Sequence, residues 1–285
     1  MSNSSLFPIL NLKIPNLAVT AWIDVIRRVV VQAGAIVDQR SHVPEINADW
    51  QLLHRFEYDH FYNAWVGVAF RFRACATHSE DFTAIFQRTQ GAARGEDMYR
   101  EDDALFGFFV KGLSALESFY YSLYALGALI VMSKQEPKVP PSAQFPLLTH
   151  LVDPAQRSGP RRITPEETHR AYTQAFPGLP TTEFLDRILR DEMYKEWSQI
   201  RNILAHRVTS AGRTIELSPF GFPLNGPPLS VKPWGMDLPL DATTTTSRYT
   251  WLRETINTAL EKTAGFAAQQ LPYTEDQLDE WTNRP

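Results

Sequence analysis

Arg201, Asn202 and His206 stand in the pattern Arg-Asn-x-x-x-His at the C-terminal end of a predicted helix. At about 100° per residue, with the apolar seam centred on Leu204, Arg201 falls roughly 60° from that centre and Asn202 and His206 roughly 160° from it. Asn202 and His206 are four apart and so share a face, which the long Arg201 side chain can reach round to join. A guanidinium, an amide and an imidazole over one patch of helix suit phosphodiester cleavage. The imidazole exchanges protons near neutral pH, and the planar guanidinium holds phosphate oxygens with two hydrogen bonds. No metal is required when the nucleophile is the ribose 2′-hydroxyl. The same residue types also have a purely structural use, because Arg201, His206 and the following Arg207 complement the negative end of a helix dipole.

The Arg201, Asn202 and His206 pattern, late in an all-helical chain, resembles the HEPN superfamily, whose signature is Arg, four to six residues, then His, often with Asn directly after Arg. The resemblance covers these three residues and the helical context from about residue 101 to residue 208. It implies a metal-independent endoribonuclease of the kind found in bacterial defence and toxin-antitoxin systems, or a catalytically silent interaction module on the same fold. It further implies a homodimer in which two copies of the motif build one site, RNA as the substrate, an antitoxin or other protein as a partner, and no cofactor. In that reading Arg201 and His206 are catalytic and Asn202 orients. Glu117, on the helix preceding the motif, is a candidate acidic contributor by position; its structural reading is a carboxylate at the bundle edge bonded to a tyrosine.

A second constellation belongs to metal chemistry. Glu57-x-x-His60 and Glu166-x-x-His169 each place a carboxylate and an imidazole on one helix face, the pairing used by di-iron bundles. A di-iron site needs a glutamate from each of two further helices, and Glu117 is the one plausible interior residue. His54, Glu57 and His60 are spaced for a single metal, but Arg55 and Asp59 between them mark a solvated face. The ligand count therefore favours no bound metal.

Positioning these groups falls to helices. Residues 101–133 carry Leu105, Phe109, Gly112, Leu116, Phe119, Leu123, Leu126 and Ile130 in alternating steps of four and three, which predicts a long helix with a continuous buried seam. Its uncharged stretch, 118–133, is shorter than the roughly 20 apolar residues of a spanning helix. Helical spacing also predicts elements at 17–40 and about 49–76. A proline-rich connection follows at 135–162. Thr164-Pro165-Glu166-Glu167 then sets an N-cap, a first-turn proline and a capping-box glutamate in register, opening a helix to about Phe176. A further helix is expected from Thr181 or Thr182 to about Val208, with Leu185, Leu189, Met193, Trp197, Ile200 and Leu204 inward. A short strand at 213–217, a Pro/Gly-rich excursion at 218–240, a helix at 248–270 and a polar tail complete the prediction. The expected fold is all-α: a HEPN-like helical bundle over about 101–270, extra N-terminal helices over about 17–92 and the Pro/Gly-rich excursion, in one elaborated domain spanning 1–285.

Composition narrows the function classes. At 285 residues with 44% hydrophobic and 21% charged side chains, the chain has the usage of a globular protein and not of a disordered or fibrous one. Its 28 basic and 32 acidic groups leave a net charge of −4, so any nucleic-acid site is a local patch. Two arginine groups are candidates, although both read first as solvated charged surface: Arg157, Arg161 and Arg162 in the proline-rich connection, the one attractive as a phosphate contact, and Arg71, Arg73, Arg88, Arg94 and Arg100, diluted by Glu80, Asp81, Glu96 and Asp97. One cysteine, Cys75, allows neither an intrachain disulfide nor a cysteine zinc cage, and its expected role is a buried small side chain. The N-terminus lacks a secretory pattern, so a cytoplasmic location without membrane attachment is expected. Walker, dinucleotide-binding, His-Glu-x-x-His and Gly-x-Ser-x-Gly patterns are all missing from the sequence.

Overall fold

A computed structural model describes residues 17–40, 48–134, 163–206 and 241–282. Among these the chain is all-α, with eight helices: α1 (Val19–Arg40), α2 (Ala48–Thr89), α3 (Glu96–Lys134), α4 (Pro165–Ala175), α5 (Pro180–Arg190), α6 (Glu192–His206), α7 (Thr244–Gln270) and α8 (Glu275–Thr282). The expected proline-rich connection, the strand at 213–217, the excursion at 218–240 and the Arg157, Arg161 and Arg162 cluster lie outside the described residues.

The α3 seam follows the predicted register, with every one of its apolar positions from Leu105 to Ile130 buried. By length and composition α3 is apolar enough to cross a membrane, but 78% of the qualifying window is buried inside the protein, as in the core helix of a helical bundle. Helix α2 continues well past the expected end near Ala76 to Thr89. Its inward positions simply carry on, through Phe72, Cys75, Ser79 and Phe82 in steps of three and four, and all are buried. The stop is a Schellman turn: Gln90 takes a left-handed φ of 51°, Gly91 N–H donates to the Phe86 carbonyl at 3.0 Å and Gln90 N–H to the Gln87 carbonyl at 3.4 Å.

The Thr164 capping box forms as the sequence predicts. Glu167 N–H donates to Thr164 Oγ1 at 3.2 Å, and Thr164 N–H donates to Glu167 Oε2 at 2.9 Å. The single helix expected from Thr181 to Val208 is instead two. Asp191 sits between α5 and α6 with ψ 129°, and its N–H closes a tight turn onto the Ile188 carbonyl at 3.0 Å. Aspartate is a weak interior helix residue because its short carboxylate competes for nearby backbone groups. The expected polar tail instead contains α8. Thr274 and Gln277 cap that helix reciprocally, and Leu278 is fully buried.

The chain divides into two compact units, each drawing on the long helices. The first comprises Met1–Phe70, Ser114–Asp191 and Arg253–Pro285. Its core joins α1 to α2 through a reciprocal indole pair: Trp22 Nε1–H donates to the Trp65 carbonyl and Trp65 Nε1–H to the Trp22 carbonyl, at 3.2 and 3.1 Å. Trp65 also packs against Phe61 and Phe119. Buried tyrosines tie the shorter helices to α3, with Tyr172 OH donating to the Leu123 carbonyl at 2.8 Å and Tyr120 OH to the Leu185 carbonyl at 3.1 Å. These phenols occupy an apolar core because each hydroxyl has an acceptor. The second unit comprises Arg71–Leu113 and Glu192–Leu252, and it contains the Arg-Asn-x-x-x-His segment.

Candidate functional site

Trp197, one turn before Arg201, fixes the motif helix within the second unit. The indole is 1% exposed and its Nε1–H donates to the Phe109 carbonyl at 2.9 Å. It stacks on Phe108 with centroids 5.0 Å apart, meets Phe109 edge-on at 5.7 Å and touches Trp251 at 5.7 Å. Space for this ring exists because α3 carries a glycine beneath it: a Cβ on Gly112 would stand 2.3 Å from Trp197 Cζ2. The helix pair α2 and α3 uses the same device at Gly107, where a Cβ would stand 2.3 to 2.5 Å from the His78 ring. Cys75 is buried in this layer, with its sulfur 3.5 Å from the Phe108 carbonyl. Burial pushes its thiol pKa well above the ordinary value, so at neutral pH it is a packing group and not a nucleophile.

A polar clamp supplements the aromatic plug. Arg248 of α7 pairs with Glu196 of α6 at 2.6 Å and donates to the Thr244 carbonyl at 2.8 Å. Asp241 caps the start of α7, receiving Thr243 N–H and Oγ1–H at 2.7 Å, and these bonds hold its carboxyl below the usual range.

With Trp197 and Ile200 turned inward, helical geometry dictates the facing of the last turn of α6. Arg201 is half-buried and Asn202 is exposed, in the order their angular offsets predict. Arg201 carries an interaction within the fold and is not a free cation. His206 is the last residue of α6, and its side chain lies outside the described residues.

The remaining candidates are dispersed. Glu117 is half-buried, has an interaction of its own and belongs to the first unit, whereas the motif belongs to the second. Among the described residues no three His, Cys, Asp or Glu side chains converge to hold a metal ion. His60 Nδ1 meets Tyr121 OH at 2.5 Å, and His169 lies against Thr173 and, at 3.9 Å, Asp186. Glu166 is exposed; the side chains of His54 and Glu57 lie outside the described residues. The arginines after Phe70 are partly engaged with acids: Arg88 pairs with Asp97 at 2.5 Å and Arg100 with Glu96 at 3.0 Å, while Arg73 and Arg94 are exposed.

Two buried carboxylates are marked by no motif. Glu101 and Asp102 of α3 are 0% and 3% exposed, and both belong to the motif's unit. Their signal lies in the seam itself, because Glu101 stands four and Asp102 three residues before Leu105, on the same helix face. An acid in register with an apolar seam is an inward-facing acid, and carboxylates are almost never fully buried unless paired; both have interactions in the fold.

Compared with models of protein families, with curated proteins and with solved structures, the chain matches none.

Proposed function

We propose that this chain is a metal-independent endoribonuclease of the HEPN type, working in the cytoplasm in a bacterial defence or toxin-antitoxin setting. The supporting observation is the Arg201, Asn202 and His206 spacing at the end of α6, a helix whose rotation Trp197 fixes so that Asn202 is exposed and Arg201 only half-buried. In this reading His206 exchanges a proton with the ribose 2′-hydroxyl or the leaving oxygen. Arg201 stabilises the charge that develops on the phosphate, and Asn202 orients the reacting groups. The bundle is HEPN-like, and two copies of the motif pair across a homodimer to complete one site. With an overall charge of −4, RNA affinity comes from the motif patch doubled by the dimer, and an antitoxin is the natural protein partner.

Cleavage of a single-stranded RNA in EDTA, with no cleavage of the same RNA carrying 2′-O-methyl groups throughout, is the expected result. Cleavage of the methylated strand, or a requirement for divalent metal, contradicts the mechanism. The half-burial and internal engagement of Arg201 favour one second reading, a catalytically silent HEPN-like interaction module. That reading predicts no cleavage of any RNA by the folded dimer, together with retained binding to a protein partner.

A further inference from the structure

The C-terminal helix is fastened to α1 at two points of different chemistry. At its base, Arg28 is 9% exposed; Nη1 donates to the carbonyls of Leu271 and Tyr273 at 3.1 and 3.2 Å, and Nε pairs with Asp24 at 3.0 Å. Tyr273 OH adds a 2.6 Å bond to Gln32, so the residues joining α7 to α8 are held at two positions of α1. Beyond this base the attachment changes. Arg27, the neighbouring residue, spans one turn of α8 by pairing with Glu275 at 3.2 Å and Asp279 at 2.6 Å, and those two carboxylates are 69% and 65% exposed. Between them Leu278 inserts as the one buried side chain among residues 275–280.

The unequal chemistry has a physical consequence. Exposed ion pairs are weak and screened by salt, an eight-residue helix has little stability of its own, and among the described side chains of α8 a single leucine supplies the apolar part of the contact. The base is different, because breaking it strands a buried guanidinium and two carbonyls. The segment therefore has a hinge that stays shut and an outer part that opens at small cost.

We propose that α8 is an electrostatic latch on α1. Residues 275–282 undock as one unit about the Arg28-held hinge, their opening is governed by ionic strength through Arg27, and opening uncovers the α1 face that Leu278 and Arg27 close. The occupant of that face is this chain's own α8, recognised by a leucine flanked by acids at the positions three before and one after it.

Hydrogen exchange of the full-length protein tests the latch, with amides of 276–282 compared against those of α1 from 25 to 31 and of α3 from 116 to 126. Raising salt from 50 mM to 1 M is expected to speed exchange in 276–282 about tenfold, without change in the two reference segments. Arg27→Gln at low salt reproduces that acceleration and removes most of the salt response; Leu278→Ala opens the segment about a hundredfold while leaving the reference segments protected. Arg28→Gln, in contrast, accelerates the α7 to α8 junction at 271–274 together with the latch. Exchange of 276–282 that ignores both salt and Arg27→Gln, or that rises only in step with α1 and α3, overturns the proposal.

Discussion

Helix α6 is seated through one indole over a glycine, whereas α8 is seated through one buried leucine and the ion pairs of Arg27, with Arg28 holding the junction before it. Helix α6 bears the proposed site and α8 is the proposed latch, so the contrast matters. An indole packed over Gly112 gains from close contact and loses heavily if either surface changes shape, and salt barely affects it. Ion pairs with exposed carboxylates tolerate rearrangement and respond to the solvent. The first fastening suits a helix whose exposed groups keep a fixed rotation, as the proposed chemistry requires; the second suits a segment that opens.

The contrast can be broken most forcefully at Trp197. Trp197→Ala removes the plug and its hydrogen bond, and is expected to lower stability by about 3–5 kcal/mol in urea unfolding. A loss below about 1 kcal/mol would mean that α6 is held elsewhere. From the opposite surface, Gly112→Ala drives a methyl group into the indole and is expected to cost about 1–3 kcal/mol. Combining Gly112→Ala with Trp197→Phe should recover part of that loss, and strict additivity of the two would deny the contact. Neither effect should depend on salt between 50 mM and 1 M. A smaller loss, about 1 kcal/mol, is expected for Thr164→Ala, which removes one half of the capping box opening α4. Thr164→Ser should retain most of the stability.

The smallest effect concerns His60. Burial holds its imidazole pKa below the ordinary 6.5, against a weaker opposing pull from Asp59. Because the folded protein resists protonation there, the unfolded chain binds more protons just below pH 6.5. Stability from this group is therefore complete above about pH 6.5 and declines as pH falls from that value through the folded pKa. His60→Gln should flatten that part of the profile in unfolding experiments between pH 5 and 8. An unchanged slope would show that His60 titrates alike in both states.

Much of the helical framework is legible in the sequence because period and punctuation agree. The α3 seam, the Thr164 capping box and the inward Trp197 follow from three- and four-residue steps and from local side-chain bonds. The departures share a cause, which is that local pattern carries no record of distant partners or of single torsions. Ser79, Glu80 and Asp81 dilute the apolar pattern of α2 beyond Ala76, although Phe82 keeps the step. Asp191 divides α5 from α6 through one backbone torsion, which leaves no mark on the periodicity. The segment α8 is hidden by its acids Glu275 and Asp279, whose partner Arg27 lies some 250 positions earlier in sequence. For the candidate site, the facing of Arg201 and Asn202 follows from angles along one helix. Glu101 and Asp102 are harder to see, because acids near a helix start have a ready explanation in the dipole and only their register with the seam marks them as buried.

The measurement that bears most directly on the proposed chemistry is the fate of RNA ends in EDTA with the wild type, Arg201→Ala and His206→Ala, each with the wild-type far- and near-UV circular dichroism. Attack by the 2′-hydroxyl leaves a 2′,3′-cyclic phosphate, so the wild type should produce cyclic ends, and each variant should lose at least about a hundredfold in rate, the scale of one general acid–base or charge-stabilising group. Cleavage at the wild-type rate by both folded variants would place the chemistry elsewhere in the chain and contradict the assignment of the site to α6.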